Sequence, residues 1–326
     1  MESNSRRFRA IIQWSKQPSS AIFLVLIMLI MIFQLANPIF LSPVNVATMM
    51  RALSYTGIIA VGMALCLMSG IIDLSVGSTS ALASVIFGTA IRDWGISIAP
   101  AVILGLLAGA IVGIVNSFII LRLKITPFIA TISMMFIVRG LANWVSNGYN
   151  IYPLSDQVLA IGGARPLGIS WAFWAFVVCA IIAHLILQYS LLGLLIRAVG
   201  SDREVAICTE VDVDKINTIT LMTISLLAAI AGIFISVMIN AGSPTVGVGW
   251  EFTAITACAI GGVSLFGYHG TIFGLFCGLA VTQVVQNGIV MIGISPYFQS
   301  VVVGAILLVA MVVDVRRRTY LDLDKI

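Results

Sequence analysis

Gly57-Ile-Ile-Ala-Val-Gly-Met-Ala-Leu-Cys-Leu-Met-Ser-Gly-Ile-Ile-Asp-Leu-Ser-Val-Gly-Ser78 is an apolar run broken by a single acid, Asp73, between Gly70 and Gly77. The run is continuous and does not alternate, which reads as a helix buried all round and not as a barrel strand. With the residues before it, the stretch 46–69 is long enough to cross a hydrocarbon layer of about 30 Å. There every backbone N–H and C=O must be paired within the protein, which leaves helices or closed barrels. The stretch therefore predicts a membrane-spanning helix with an interruption after it.

The same texture extends along the chain. Of 326 residues, 60% are hydrophobic and 9% charged, with mean hydropathy +1.12, whereas a soluble domain is about 25% charged. Ten spans are predicted, at 19–37, 46–69, 75–91, 96–121, 126–141, 169–190, 216–240, 249–265, 271–291 and 298–314. The fold class expected is all-α: a polytopic transmembrane helical bundle with some short or broken helices and no sizeable soluble domain. Residues 1–18 form an N-terminal segment, 19–314 the membrane domain and 315–326 a tail. The apolar stretch after residue 18 runs too long for a signal peptide and is expected to stay as the first span.

Lys and Arg set the orientation. With both termini cytoplasmic, the inner segments hold Arg6, Arg7, Arg9, Lys16, Arg122, Lys124, Arg197, Arg203, Lys215, Arg316, Arg317, Arg318 and Lys325. Arg51, Arg92, Arg139 and Arg165 fall on or near the outer side. An odd number of spans would place one basic terminus outside.

Several chemistries are excluded. The five cysteines form no CxxC pair and there are two histidines, so a metal site is not expected. No GxxxxGK[ST], HExxH or GxSxG motif occurs, so the chain itself has no P-loop and no recognisable hydrolytic site. No basic cluster is interleaved with aromatics, which argues against nucleic-acid binding. Trp94, Trp144, Trp171, Trp174, Tyr297 and Phe298 fall at predicted span ends, as an interfacial belt would.

Four segments are left to carry function. Asp73 lies near membrane depth, where an ionised carboxylate must face a cavity or a partner. Gly70 and Gly77 let the helix break, and Ser75 and Ser78 can satisfy freed backbone groups. Asp73 can also cap a helix beginning at Leu74; the two roles are compatible. Glu251, in Gly247-Val-Gly-Trp-Glu-Phe252, opens the eighth span at its outer mouth, where a helix dipole favours it. Gly261-Gly262-Val-Ser264-Leu-Phe-Gly-Tyr-His-Gly270 predicts a sharp reversal and close helix packing. The inner loop, about 191–215, is the densest polar patch; Gly-Ser-Asp at 200–202 can start a short helix with Asp202 as N-cap. The outer loop, about 142–168, is polar and Gly-rich. Gly105, Gly109 and Gly113 form a close-packing face for a helix of this chain or of a second copy.

Taken together these stretches resemble the permease subunits of ABC importers for monosaccharides of the ribose, xylose, arabinose and allose type. The matching pieces are Ser69–Ser78, Thr126-Pro-Phe-Ile-Ala-Thr-Ile-Ser-Met-Met135 with Arg139-Gly-Leu-Ala142, Ala259–Leu265, Asn287–Ser295 and Gln299. The resemblance implies a homodimer in a bacterial inner membrane, a separate cytoplasmic ATP-binding subunit, and a sugar-binding protein docking from outside. ATP and Mg would be bound by the partner ATPase, with no cofactor on this chain. It further implies a coupling helix within Gly200–Val211, with Asp202, Arg203, Glu204, Val205 and Ala206 at the ATPase contact. Glu204 and Ala206 fit the family pattern; Asp202, Val205 and Glu210 replace its usual Asn, Ala and Gly. The passage expected is wide, weakly binding and at the dimer axis, rocking at the breaks around Asp73 and Gly261–Gly267. The rival is an ion-coupled secondary transporter using Asp73 or Glu251.

Overall fold

A computed structural model describes residues 18–265 and 267–323, and side chains from 22 to 312 among them. The basic residues predicted for the two cytoplasmic ends, Arg6, Arg7, Arg9, Lys16 and Lys325, together with the side chains of Arg316, Arg317 and Arg318, lie outside that description.

The helices are α1 Pro18–Ala36, α2 Pro43–Met68, α3 Val76–Arg92, α4 Ile98–Ser117, α5 Pro127–Val145, α6 Asp156–Gly163, α7 Trp171–Tyr189, α8 Leu191–Ser201, α9 Arg203–Cys208, α10 Val213–Ile239, α11 Trp250–Ile260, α12 Ile272–Met291 and α13 Phe298–Leu323. A π-helical turn, Phe118–Arg122, extends α4. No strand occurs among the described residues beyond an isolated bridge between Ile151 and Gly242. Six of the helical stretches are long and apolar enough to cross a membrane, while Ile22–Ala36, Leu191–Ser201, Trp250–Ile260 and Phe298–Val312 are shorter apolar helices.

Local chemistry sets the helix ends. Ser42 caps α2, accepting from Asn45 N at 3.4 Å, with Pro43 at the first helical position, where its missing N–H costs nothing. Asp212 caps α10 by accepting from Lys215 N at 2.9 Å. Asn240 ends that helix with φ 49°, a left-handed conformation that Asn tolerates.

The core is built on α2 and α10, which pack against each other, with α10 also against α3 and α4. Small residues permit the close approach. A Cβ on Gly232 would overlap the carbonyl of Ser80; one on Gly62 would sit 2.8 Å from Ile224 Cα. The glycine face of α4 finds its partner within the chain: Gly105 meets Ile233, Gly109 meets Ala229 and Gly113 meets Met222, all on α10.

One expectation needs correction. The helix predicted over 249–265 is shorter: α11 has 11 residues, about 16 Å at 1.5 Å per residue. The non-helical stretch 241–249 leads into it. It leaves the α10 terminus beside the 151–155 segment (Gly242 N to Ile151 O, 3.0 Å) and descends along α3, Gly242 meeting Gly88 and Gly247 meeting Gly77. The inner loop is largely helical: α8 occupies 191–201, started by Ser190, whose Oγ accepts from Gly193 N at 3.1 Å. The outer loop likewise contains α6, capped by Ser155 on Val158 N.

Candidate functional site

Two irregular segments enter the bundle from opposite ends. The helix after each starts in its interior, and the two helix starts meet. From one end, α2 stops at Met68, Gly70 takes φ 84°, and α3 begins only at Val76. From the other, 241–249 leads to α11, with Gly249 at φ 79°. A Cβ on Gly77 would overlap both Gly247 O and Glu251 Oε2; one on Gly247 would overlap the carbonyl of Gly77. One turn further on, Ser80 Oγ donates to Ala228 O at 2.8 Å, near the middle of α10. Both helix N-termini, each carrying partial positive charge, therefore lie at mid-bundle.

The two buried acids sit at these N-termini. Asp73 has no exposed surface. Its Oδ1 accepts from Ser75 N at 2.8 Å and Ser75 Oγ at 2.6 Å, and its Oδ2 from Asn116 Nδ2 at 3.4 Å. It thus bonds the turn leading into α3, and the helix starts at Val76, two residues later than the expected Leu74. Glu251 is 6% exposed, in the first turn of α11 as expected but against Gly77 in the interior, not at an outer mouth. Ser78 Oγ, Asn116 Oδ1 and Glu251 Oε2 find no hydrogen-bond partner among the described residues.

Arg139 and Asn116 were not foreseen as parts of this joint. Arg139, on α5, donates through Nη1 to Pro244 O at 2.6 Å and Val246 O at 2.7 Å, holding the extended segment to the bundle. Asn116, on α4, also donates to Ser75 Oγ at 2.9 Å. Arg139 is the one charged residue of α5 and Asn116 the one amide of α4, a signal visible in the sequence.

The second break follows α11. Gly261 packs on Gly274 of α12 so closely that neither could carry a Cβ without displacing backbone; Gly262 turns the chain at φ 75° and Ser264 N bonds His269 O at 2.9 Å. The turn then reaches the inner segment. A Cβ on Gly267 would overlap Gly200 O, one on Gly200 would overlap Met68 O, and Tyr268 N donates to Met68 O at 3.1 Å. Gly200, the penultimate residue of α8, is thus wedged between the end of α2 and the α11–α12 turn. The structure therefore brings Gly200 against the end of α2, just before the first predicted break, and against the turn at the second, while Gly261 lies at the opposite end of α11 from Glu251.

Directly after Gly200, Asp202 Oδ1 accepts from Glu204 N at 2.9 Å and Val205 N at 3.1 Å, starting α9. Ala206 is buried and anchors that helix, while Arg203, Glu204, Val205 and Ile207 are exposed. Arg203 pairs with Asp214 at 3.7 Å. A short helix with two exposed aliphatic side chains among charges, following directly on the α8 end that carries Gly200, is suited to receive a partner.

A cleft of about 740 Å³ opens where α2 and α13 begin and α12 ends; it descends to the first turn of α11 between α2, α10, α11, α12 and α13. Its polar lining, including Arg51, Gln283, Gln286 and Gln299, was not singled out as a site from the sequence, apart from Gln299 within a matching stretch.

Residues 45–311 match the family model described as the permease component of the branched-chain amino acid transport system. The chain belongs to this permease family. The L-arabinose transport system permease protein AraH of Escherichia coli (strain K12) is 36% identical to the permease over 305 residues, covering 92% of this chain and 90% of the relative. An L-arabinose ABC transporter permease protein AraH of Azospirillum brasilense is 33% identical over 94% of this chain and 90% of its own length. The ribose import permease protein RbsC of Bacillus subtilis (strain 168) is 32% identical over 90% and 91%. No solved structure matches. The family description names an amino-acid cargo and these relatives sugars, so membership makes the chain a multi-pass membrane permease without fixing what it carries.

Proposed function

We propose that the permease is the membrane-spanning subunit of an ATP-driven monosaccharide importer in a bacterial inner membrane. It works as two copies, takes sugar from an extracytoplasmic binding protein, and couples through α9 to a separate cytoplasmic ATPase that carries ATP and Mg. The observation that carries this reading is the seat of Gly200 against Met68 and Gly267. A force on α9 reaches, through Asp202 and the last turn of α8, the end of α2 beside the Asp73 break and the turn leading from α11. The sugar names of relatives that match over nine-tenths of the chain support the cargo class.

In this arrangement the chain makes about ten crossings with both termini cytoplasmic. Short α11 completes its crossing with 241–249, and α3 does so with 69–75. Arg122, Lys124, Arg197, Arg203 and Lys215 then share the cytoplasmic end, as the positive-inside rule requires. Asp73, Ser75, Gly70, Gly77 and Glu251 form the joint on which the bundle rocks, and Gly261, Gly262 and Ser264 its second pivot. Polar atoms left without partners at the first joint fit a contact that changes during the cycle. The ion-coupled alternative needs Asp73 or Glu251 free to exchange a cation, and their placement at helix N-termini favours the importer.

The test is charge reversal on the coupling helix. In the reconstituted transporter, Arg203→Glu combined with Glu204→Arg abolishes sugar-stimulated ATP hydrolysis and leaves membrane insertion intact. Normal stimulation in this variant, or sugar uptake by the permease alone driven by a proton gradient, refutes the reading.

A further inference from the structure

The 740 Å³ cleft lies within the range of about 300–1,000 Å³ typical of small-molecule sites. Its lining combines two kinds of group. Gln283 and Gln286 of α12, Thr253 of α11, Thr56 of α2, and Gln299 and Ser300 of α13 offer donors and acceptors together. Gln283 and Gln286 are three residues apart and therefore share one face of α12. At the depth where α11 begins, Tyr55 and Trp250 stack with ring centroids 6.2 Å apart and planes 6° from parallel. Among the described residues no Asp, Glu or Lys lines the cleft, and Arg51 is the one full charge there.

The side walls are held by bonds that do not use the amides of Gln283 and Gln286. Asn287 and Asn45 form a reciprocal amide pair at 2.9 and 3.1 Å that fastens α12 to α2. Gln299 Nε2 donates to the backbone carbonyl of Gln286 at 3.3 Å, fastening α13 to α12. A polar stripe on an apolar helix is costly in a membrane unless it meets water or a ligand, and this one faces a cavity.

We infer that this cleft is a binding station for one neutral monosaccharide, with Gln283, Gln286 and Arg51 contacting its hydroxyls and the Tyr55–Trp250 stack supporting its less polar face. Amides and hydroxyls match a sugar because both partners donate and accept. An aromatic face matches the C–H surface of a sugar ring. The inference deepens the importer reading and rests on it. It also replaces the expected passage of few direct contacts by a selective stop, so part of the selectivity resides in the permease and not in the binding protein alone.

The experiment uses the complete transporter, permease with ATPase and binding protein, in proteoliposomes, with D-ribose, L-arabinose, D-glucose and D-glucuronate as probes. Gln283→Leu and Gln286→Leu are each expected to slow uptake of the transported neutral sugar roughly three- to tenfold, the loss of one or two neutral hydrogen bonds. ATP hydrolysis stimulated by the loaded binding protein should stay within about twofold of wild type, showing an assembled, coupled complex. The conservative Gln286→Asn should change the uptake ratio between two neutral sugars, which a merely structural role would not do. Unchanged uptake in both leucine variants, an equal slowing of all sugars, or a preference for D-glucuronate over neutral sugars overturns the inference. If the wild-type complex itself moves no neutral sugar with ATP, the importer reading fails, and with it the assignment of the ligand.

Discussion

Gly200→Ala adds one methyl group where three segments meet. The new Cβ would overlap the carbonyl oxygen of Met68 and come within 3.0 Å of Tyr268 N, two atoms joined by a hydrogen bond of 3.1 Å. Both are backbone atoms, so no rotamer change relieves the overlap. Overpacking of this kind costs about 1–3 kcal/mol, and a buried hydrogen bond forced open adds about 1–3 kcal/mol. At the low end the seated arrangement loses about 2 kcal/mol, a shift of roughly thirtyfold against any arrangement in which α8 stands away from Met68. In the reconstituted transporter, sugar-stimulated ATP hydrolysis and uptake should both fall at least tenfold, with the protein still inserted. Gly140→Ala, on α5 with open space around it, is the control; it should leave both rates unchanged, since Ala is the better helix former by about 1 kcal/mol. A Gly200→Ala permease that couples as well as the Gly140→Ala one would refute the idea that force passes through this seat.

Two further outcomes test the interior joint. Asp73→Ala strands Ser75 N and the Ser75 hydroxyl proton and leaves Asn116 Nδ2 only its bond to Ser75 Oγ, at about 1–3 kcal/mol for each stranded buried group, and should lower thermal stability in detergent markedly. Asp73→Asn keeps an acceptor oxygen and should retain most of that stability and of uptake; if uptake is lost at unchanged stability, the charge itself serves the passage. Arg139→Leu removes two charge-assisted bonds to Pro244 O and Val246 O, each of the class contributing about 1.5–3 kcal/mol. The expected result is faster proteolytic cleavage or hydrogen exchange confined to 241–249, with Arg139→Lys intermediate because it presents a point charge in place of a fork.

Much of the architecture was legible because a membrane leaves few choices. Apolar runs of about 20 residues must be helical in hydrocarbon, so the long helices appear where hydropathy places them. Asp202 was readable as an N-cap because its bonds go to Glu204 N and Val205 N, its own near neighbours. The same holds for the breaks at Gly70 and Gly262, since a positive φ is a local demand that glycine meets.

What the residue string could not specify was the depth at which those breaks lie and what they touch. Hydropathy over 249–265 does not reveal that the helix stops at Ile260, nor that the non-helical stretch before it docks Gly247 on Gly77. Within the inner loop, Leu191–Ser201 forms a helix that buries Gly193, Ile196 and Val199, a packing that depends on its neighbours in space. Above all, Gly200, Met68 and Gly267 are far apart in sequence, and their contact depends on backbone carbonyls meeting Cα atoms. Sequence by itself determined a helical membrane protein with interrupted spans and a capped inner helix. The tertiary structure alone decided that the helix just before the capped one is wedged between the interruptions, because close backbone approach depends on the packing of whole helices and leaves no pattern in any one of them.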